Sequence, residues 1–516
     1  MAEVIVETDH APKRTAGGHM PDPCVMVIFG ASGDLTSRKL VPALYYLYRH
    51  QMLPEGFSVI GGARSCFSDE EFRDMMQAAV RKYLKVPPDD EHFLESFLQG
   101  VFYICGNFGE PADYAPLTKR LDELDKQRGT QGNRLFYMST PPSFFGPIVK
   151  NLGESGLARP KLPGRSWTRI VIEKPFGRDL ESARELNRLV TRVFSEDQIY
   201  RIDHYLGKET VQNLLVFRFA NGVFEPVWNR RYIDHVQIAV AEDLGIEGRG
   251  SYYEEAGLVR DMIQNHVLSL LSLVAMEPPS LFEATSVRDE KSKVMRAVRP
   301  VGLDHPNELA VRGQYVEGWA EDERLPAYRA EPRVSPQSVT ETFAALKLYI
   351  DNWRWADVPF YIRAGKRLPK RVSEITIQFR SAPHLLFRGT ATDALVPNLL
   401  RVRIQPDEGI ALRFNAKIPD TTMQIRPVSM DFKYSEEFAA APPTAYETLL
   451  LDCMLGDPML FTRADFVDLA WELITPALER WSKDGRKGLY FYEAGTWGPP
   501  EADALIERDG RHWRHL

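Results

Sequence analysis

The feature that most constrains this chain is the joint at Gly30. Cys24-Val-Met-Val-Ile-Phe29 is an unbroken apolar run too short for a helix, and it reads as a strand buried on both faces. It breaks at Gly30-Ala-Ser-Gly-Asp34, after which Leu35 to Arg49 follows helical spacing. A buried strand that feeds a helix through a glycine turn belongs to a parallel sheet, because a parallel neighbour is reached only by a crossover. The pattern recurs. Phe57–Ile60 ends at Gly61-Gly-Ala-Arg64, and apolar runs follow at Val101–Cys105, Leu135–Met138 and Arg169–Ile172 with helical stretches between them. These segments predict an α/β, doubly wound parallel sheet over residues 22–205.

Past residue 205 the texture changes. Helical runs at 210–219 and 256–276 give way to alternating segments at His235–Val240 and Ile375–Phe379, and to Leu400–Ile404 paired with Ile410–Phe414 across Gln405-Pro-Asp-Glu-Gly409. Such alternation predicts antiparallel strands with one open face. Helices near 444–455 and 464–482 close the chain. The expected plan is a flexible N-terminal tail (1–21), a nucleotide-binding domain (22–205) and an α+β domain for substrate binding and oligomerisation, with a large, mainly antiparallel sheet (206–516). A length of 516 residues suits two cores better than one.

Composition excludes some partners. With 64 Lys+Arg against 71 Asp+Glu the net charge is −7, which argues against a general nucleic-acid or anionic-membrane binder. The longest apolar helical stretch, Val267–Met276, is about half the roughly 20 residues that a membrane span needs. The N-terminus carries acids before any apolar run, unlike a signal peptide. The four cysteines, Cys24, Cys66, Cys105 and Cys453, have no metal-binding spacing, and the expectation is a reduced, cytoplasmic protein without a disulfide scaffold or a metal.

Six segments carry chemistry. The turn Gly30, Ala31, Ser32, Gly33, Asp34 and Leu35 joins the first strand to a helix N-terminus, where free N–H groups and the helix dipole receive a pyrophosphate. The second strand ends in Ala63-Arg64-Ser65, where an NAD enzyme usually places an acid; a guanidinium there grips a 2′-phosphate and points to NADP. Ile172-Glu-Lys-Pro-Phe-Gly177 sets Lys174 at a strand's C-terminal end, where it can hold cofactor and substrate together, beside a Pro175 that can be cis. Arg201-Ile-Asp-His-Tyr-Leu-Gly-Lys-Glu209 places imidazole, phenol and ammonium just ahead of a helix, an arrangement that captures a phosphate dianion. In Arg260-Asp-Met-Ile-Gln-Asn-His266, the imidazole of His266 is a natural general base, with Asp203 a candidate carboxylate partner. Finally, Arg363 to Arg371 holds five cations in nine residues, a candidate anion pocket in an acidic protein.

Together these segments closely resemble the glucose-6-phosphate dehydrogenase family, bacterial in type. GASGDL, EKPFGRDL, QIYRIDHYLGKE, EGRG, RDMIQNH, VRDEK, GQY and IRAGK occur in that family's order and spacing from about residue 22 to 510. The resemblance implies a Rossmann domain joined to an α+β domain, in homodimers or homotetramers. It implies oxidation of glucose 6-phosphate at C1 by NADP, with NAD as a secondary acceptor, the first step of the oxidative pentose phosphate pathway. Position by position, His266 matches the general base and Asp203 the carboxylate that orients it. His204, Tyr205 and Lys208 match the phosphate grip; Glu242, Asp261, Lys366 and Arg371 match sugar-binding positions. Lys174 matches a lysine shared by nicotinamide and substrate, and Gly30 to Leu35 with Arg64 match the NADP site. Val372, Thr376 and Trp497 stand where animal enzymes carry basic residues for a second, structural NADP. Two rival readings remain: a dehydrogenase of another sugar or sugar phosphate, and a catalytically dead NADPH-binding regulator.

Overall fold

The computed structural model describes residues 20–84, 91–301, 309–320, 323–382, 386–387, 395–438 and 443–516, so almost all of the expected N-terminal tail lies outside the described residues. The chain forms two compact units, each assembled from segments separate in sequence. One comprises Met1–Glu173, Leu189–Ile202 and Phe438–Pro458; the other comprises Lys174–Arg188, Asp203–Glu437 and Met459–Leu516.

Among its described residues the first unit is built on six parallel strands: β1 (Val25–Phe29), β2 (Ser58–Ala63), β3 (Val101–Cys105), β4 (Arg134–Met138), β5 (Thr168–Ile172) and β6 (Ile199–Arg201). Their order is β3-β2-β1-β4-β5-β6, the doubly wound order whose direction reverses beside β1. All five residues of β1 are fully buried, as its uninterrupted apolar run requires. The helix after the glycine turn departs from the expected regular α-helix. Thr36–Leu40 is a π-turn, and only Val41–Arg49 is α-helical. Pro42 explains the widening: it offers no N–H to the Arg38 carbonyl and its ring crowds that oxygen. Val41 N–H instead reaches back five residues to the Thr36 carbonyl. The late helix Ala445–Leu455 packs on Val41–Arg49, and Arg169 donates to its last carbonyls, Cys453 O and Met454 O, at 2.8 and 2.7 Å.

The cysteine expectation is corrected here. Cys66 and Cys105 form a disulfide, 39 residues apart in sequence but with Cα atoms 4.7 Å apart. Parallel pairing of β2 with β3 brings the two strand ends together, a proximity that sequence spacing cannot show. Cys24 and Cys453 are buried thiols.

Among its described residues the second unit carries eleven strands: β7 (Ile233–Ala241), β8 (Ala310–Val316), β9 (Gly318–Ala320), β10 (Glu323–Leu325), β11 (Phe343–Leu348), β12 (Phe360–Gly365), β13 (Val372–Phe379), β14 (Leu399–Gln405), β15 (Gly409–Lys417), β16 (Ile425–Lys433) and β17 (Leu489–Glu493). Nine form one sheet, ordered β16-β15-β14-β13-β7-β12-β11-β8-β17, with β9 and β10 as a separate ribbon. The large sheet is mainly antiparallel, as expected; β12 runs parallel to β7, and β17 to β8. The single open face holds only at the margin. β12 is buried along its whole length and β7 and β13 nearly so, while accessible positions gather in β14, β15 and β16.

The apolar stretch that sequence presents near residue 270 is a core helix, Leu268–Ala275, buried at every position. Its last carbonyls would be orphaned there. Arg218 donates to Leu273 O and Met276 O, Trp228 to Val274 O and Trp355 to Ala275 O, at 2.8–2.9 Å. No helix among the described residues is long and apolar enough to cross a membrane.

Ahead of this helix the chain makes one sharp break. Gly257 has φ 63° and ψ 176°, a conformation open essentially to glycine alone. A Cβ there would sit 2.5 Å from a Glu341 carboxylate oxygen. That carboxylate is buried and accepts the Val259 N–H at 3.2 Å, capping the nine-residue π-helix Val259–Val267. Gly257→Ala is therefore expected to cost about 1–3 kcal/mol of stability, seen as a lowered thermal midpoint at fixed scan rate. An unchanged midpoint would show that the break is not glycine-dependent.

Candidate active site

The site grows from that π-helix. On an α-helix, residues five apart are offset by about 140°, so Asp261 and His266 would face different directions. A turn of about 4.4 residues cuts the offset between i and i+5 to about 50°, which leaves them on one face. Both side chains accordingly meet one ammonium: Lys174 Nζ lies 3.1 Å from Asp261 Oδ1 and 3.0 Å from His266 Nε2. Lys174 also donates to the Asp261 carbonyl at 3.1 Å. Its peptide bond to Pro175 is cis.

The other ring nitrogen settles the tautomer. His266 Nδ1 lies 2.5 Å from Asp203 Oδ1, with the ring fully buried and Asp203 2% exposed. An ionised carboxylate only accepts, so Nδ1 carries the proton and Nε2 presents a lone pair. Tyr205 N–H also donates to Asp203 Oδ1, at 3.0 Å. Burial works against the Asp203 charge, but His266 outweighs it and holds the carboxyl well below the usual carboxylate range. For His266, burial dominates over Asp203 and lowers the pKa below the ordinary imidazole value, with the Lys174 charge adding to the shift.

Arg201–Glu209 delivers its three capable side chains beside this imidazole. The Tyr205 ring stacks on the His266 ring with centroids 4.5 Å apart, and His204 meets His266 edge-on at 4.5 Å. Lys208 occupies the N-cap position of helix Glu209–Phe219 and its Nζ lies 4.2 Å from the Tyr205 ring centroid. Burial, with Arg371 nearby, lowers Lys208 to about 8. Burial, with His266 and the Lys174 charge close by, drives His204 well below the imidazole range. Asp203, His204 and His266 bring three donor atoms within 4.8 Å, a geometry open to a metal, although a hydrogen bond already joins two of them.

Acids and amines alternate around the remaining wall. Lys366, directly after β12 and 3% exposed, bonds Glu242 directly after β7 and lies 3.8 Å from Asp261. Burial opposes the Asp261 charge, yet Lys174 and Lys366 hold it well below the carboxylate range. Arg371 is exposed and directly precedes β13. All ten sequence-predicted residues of this group, from Lys174 to Arg371, lie in the second unit.

Three members escaped the sequence reading. Gln405 accepts from Lys208 Nζ at 2.5 Å and donates to Ser373 Oγ at 3.0 Å, and Ser373 meets the Tyr205 hydroxyl at 3.1 Å. Tyr252 donates to Asp261 Oδ1 at 3.4 Å. Gln405 opens what reads as an ordinary turn between two strands, and Ser373 lies on a buried strand. Neither residue type carries a signal without the fold.

In the first unit the expected nucleotide turn has a fitting shape. Gly30 has φ 84°, and a Cβ there would meet the Ser139 carbonyl oxygen at 2.2 Å, so only glycine permits this close backbone approach. Gly30 N–H bonds Gly62 O at 2.8 Å and Gly33 N–H bonds Gly30 O at 3.0 Å, fixing the turn at the point where strand order reverses. Ala31 is buried, while Ser32 and Asp34 are exposed and Gly33 and Leu35 partly so. Arg64 follows β2 directly, is exposed, and forms no ion pair among the described residues. Its guanidinium lies over the Phe144 ring, 5.8 Å from the centroid, and a guanidinium beside a glycine cradle suits a nucleotide bearing a 2′-phosphate.

Comparison with known proteins joins the two halves. Residues 27–213 match the model of the NAD-binding domain of glucose-6-phosphate dehydrogenase, and residues 215–514 match that of its C-terminal domain. The chain belongs to the glucose-6-phosphate dehydrogenase family. It is 50% identical over 491 residues to a glucose-6-phosphate 1-dehydrogenase of Aggregatibacter actinomycetemcomitans, covering 95% of this chain and 97% of that one. A glucose-6-phosphate 1-dehydrogenase 2 of Mycobacterium tuberculosis is 48% identical over 493 residues, covering 95% and 94%. A solved glucose-6-phosphate dehydrogenase in complex with its substrate superposes with a TM-score of 0.87 at 38% identity, covering 96% of this chain and 99% of that one.

The charge states of this family member's site fix the sign of its pH dependence. The acid limb of kcat/KM should fall below the ordinary imidazole pKa of about 6.5, because burial disfavours imidazolium. Asp203→Asn removes an influence that raises the His266 pKa. It should move that limb lower still while cutting kcat by about 100-fold or more. An alkaline limb near 8 is expected from Lys208 and should vanish in Lys208→Arg. Steady-state pH profiles check all three; an acid limb above the imidazole value would contradict the charge assignment.

Proposed function

We propose that this chain oxidises D-glucose 6-phosphate at C1 to 6-phospho-D-glucono-1,5-lactone with NADP as acceptor, using His266 as general base. The observation that carries the reading is the lone pair on His266 Nε2, fixed by the Asp203 hydrogen bond and set beside a cationic, aromatic grip. His204, Tyr205 and Lys208, held by Gln405 and Ser373, take the 6-phosphate. Glu242, Asp261 and Lys366, with Arg371, take the sugar hydroxyls. Anchoring the far end of the substrate places its C1 hydroxyl against the base, and this positioning is where remote binding energy acts on the barrier.

Lys174 shields the Nε2 lone pair in the free protein and yields it to the arriving hydroxyl. As Nε2 accepts the hydroxyl proton, electron density rises on the C1 oxygen and hydride leaves C1. Asp203 then faces an imidazolium rather than an imidazole, so its charge is worth more at the transition state than before it. Gly30 to Leu35 would hold NADP, with Arg64 at its 2′-phosphate, and the bound nicotinamide would accept the hydride. The chemistry calls on a base and a hydride acceptor, and no step requires a metal. The same reading places the protein in the cytoplasm as a homodimer or homotetramer; light scattering in solution tests the latter.

His266→Asn should lower kcat by 10²–10⁴-fold while glucose 6-phosphate still binds measurably by calorimetry. Turnover at the wild-type rate would reject the base assignment. Arg64→Ala should raise KM for NADP far more than for NAD, and equal effects would reject the 2′-phosphate role. Assays with glucose and 6-phosphogluconate in place of glucose 6-phosphate decide against the reading if either is preferred.

A further inference from the structure

The Cys66–Cys105 pair stands outside the chemistry described so far, yet it flanks the residue assigned to the cofactor's 2′-phosphate. Both cysteines are exposed, at the C-terminal side of adjacent parallel strands. Their sulfur atoms lie 3.9 and 3.8 Å from one acceptor, the Arg64 carbonyl oxygen.

The segment between β2 and helix Asp69–Tyr83 is short and is fastened to β3 at several points. The Tyr103 hydroxyl donates to Ser65 O at 2.5 Å and reaches Ala63 O at 3.5 Å. The Phe67 and Tyr103 rings meet edge-on at 5.4 Å. Ser68 caps the helix, and Asp69 Oδ1 accepts the Tyr103 N–H at 2.7 Å. The disulfide is the covalent member of this set, and it lies two residues from Arg64.

We propose that Cys66 and Cys105 form a reversible thiol–disulfide site that sets how firmly Arg64 is held for the 2′-phosphate, and hence the preference for NADP over NAD. The proposal rests on the assignment of Arg64 to that phosphate. An exposed disulfide is open to attack by a small dithiol. The attacking thiolate breaks the S–S bond and forms a mixed disulfide, and the second thiol of the reductant displaces the protein sulfur. The protein gains two electrons and two protons as two thiols, and the reductant leaves as its own disulfide. Freed thiols can donate only weakly to the Arg64 carbonyl, so the segment keeps its Tyr103 anchors but loses its covalent one. A guanidinium held in place loses less freedom on gripping an anion than a mobile one, so reduction weakens the grip on the 2′-phosphate selectively.

The test uses the full-length enzyme equilibrated with reduced or oxidised dithiothreitol, its thiol state read by alkylation and mass spectrometry. Reduction should raise KM for NADP by roughly three- to tenfold, with KM for glucose 6-phosphate and for NAD unchanged. Cys105→Ser should show the reduced value under both conditions. In Arg64→Ala the redox effect on NADP should vanish. Equal KM values for NADP in the two states, or a pair that stays fully alkylatable in oxidised dithiothreitol, would overturn the proposal. If Arg64→Ala leaves KM for NADP unchanged, the Arg64 assignment itself has failed. If Arg64→Ala raises it and redox state does not, only the switch has failed.

Discussion

The hydrogen bond between Asp203 and His266 is the constraint on which the rest of the second unit's site depends. A buried carboxylate without a partner is costly, and so is a buried imidazole of undefined tautomer. Joined, they resolve each other: the carboxylate keeps its charge, and the ring keeps its proton on Nδ1 and its lone pair on Nε2. The arrangement is nonetheless tense. Asp203 Oδ2 is buried and has no hydrogen-bond partner within 3.5 Å among the described residues, so the carboxylate still has capacity to meet an imidazolium when one forms.

Backbone irregularity is what makes this pairing geometrically available. The glycine break at Gly257, the carboxylate of Glu341 capping the chain beyond it, and the π-helix that follows form one device. It rotates Asp261 and His266 onto a common face, where Lys174 reaches both. The helix after the Gly30 turn uses the same kind of widened turn for a different reason, a proline that cannot donate. In each unit the irregular segment sits beside the candidate site residues, while the helix Leu268–Ala275 is regular and buried.

Much of this was legible in sequence, for reasons that can be named. β1 and its turn were readable because a short apolar run followed by glycines has few other uses. Leu399–Gln405 and Gly409–Lys417 were readable as a hairpin because alternation of period two survives at the margin of the sheet. The helix around residue 270 was placed, but its first half was not seen as a π-helix, since period 3.6 and a wider turn are hard to separate over nine residues. Lys174, Asp203, His204, Tyr205 and Lys208 stood out as dense runs of polar groups; Gln405 and Ser373 did not, because a turn glutamine and a strand serine are common. The Cys66–Cys105 bond was invisible because strand pairing, and not spacing, creates it. The expectation of one open sheet face failed at β7 and β12, where helices and the C-terminal segment cover what alternation would leave bare.

The central claim is that a neutral His266, protonated on Nδ1, offers Nε2 to the substrate. Long-range ¹H–¹⁵N correlation spectra of histidine-labelled protein, with the His266→Asn spectrum supplying the assignment, observe both ring nitrogens directly. The account predicts an Nδ1 that stays protonated and an Nε2 that stays bare down to pH values below the ordinary imidazole transition. A proton on Nε2 at neutral pH, whether in the other tautomer or in an imidazolium, would contradict it.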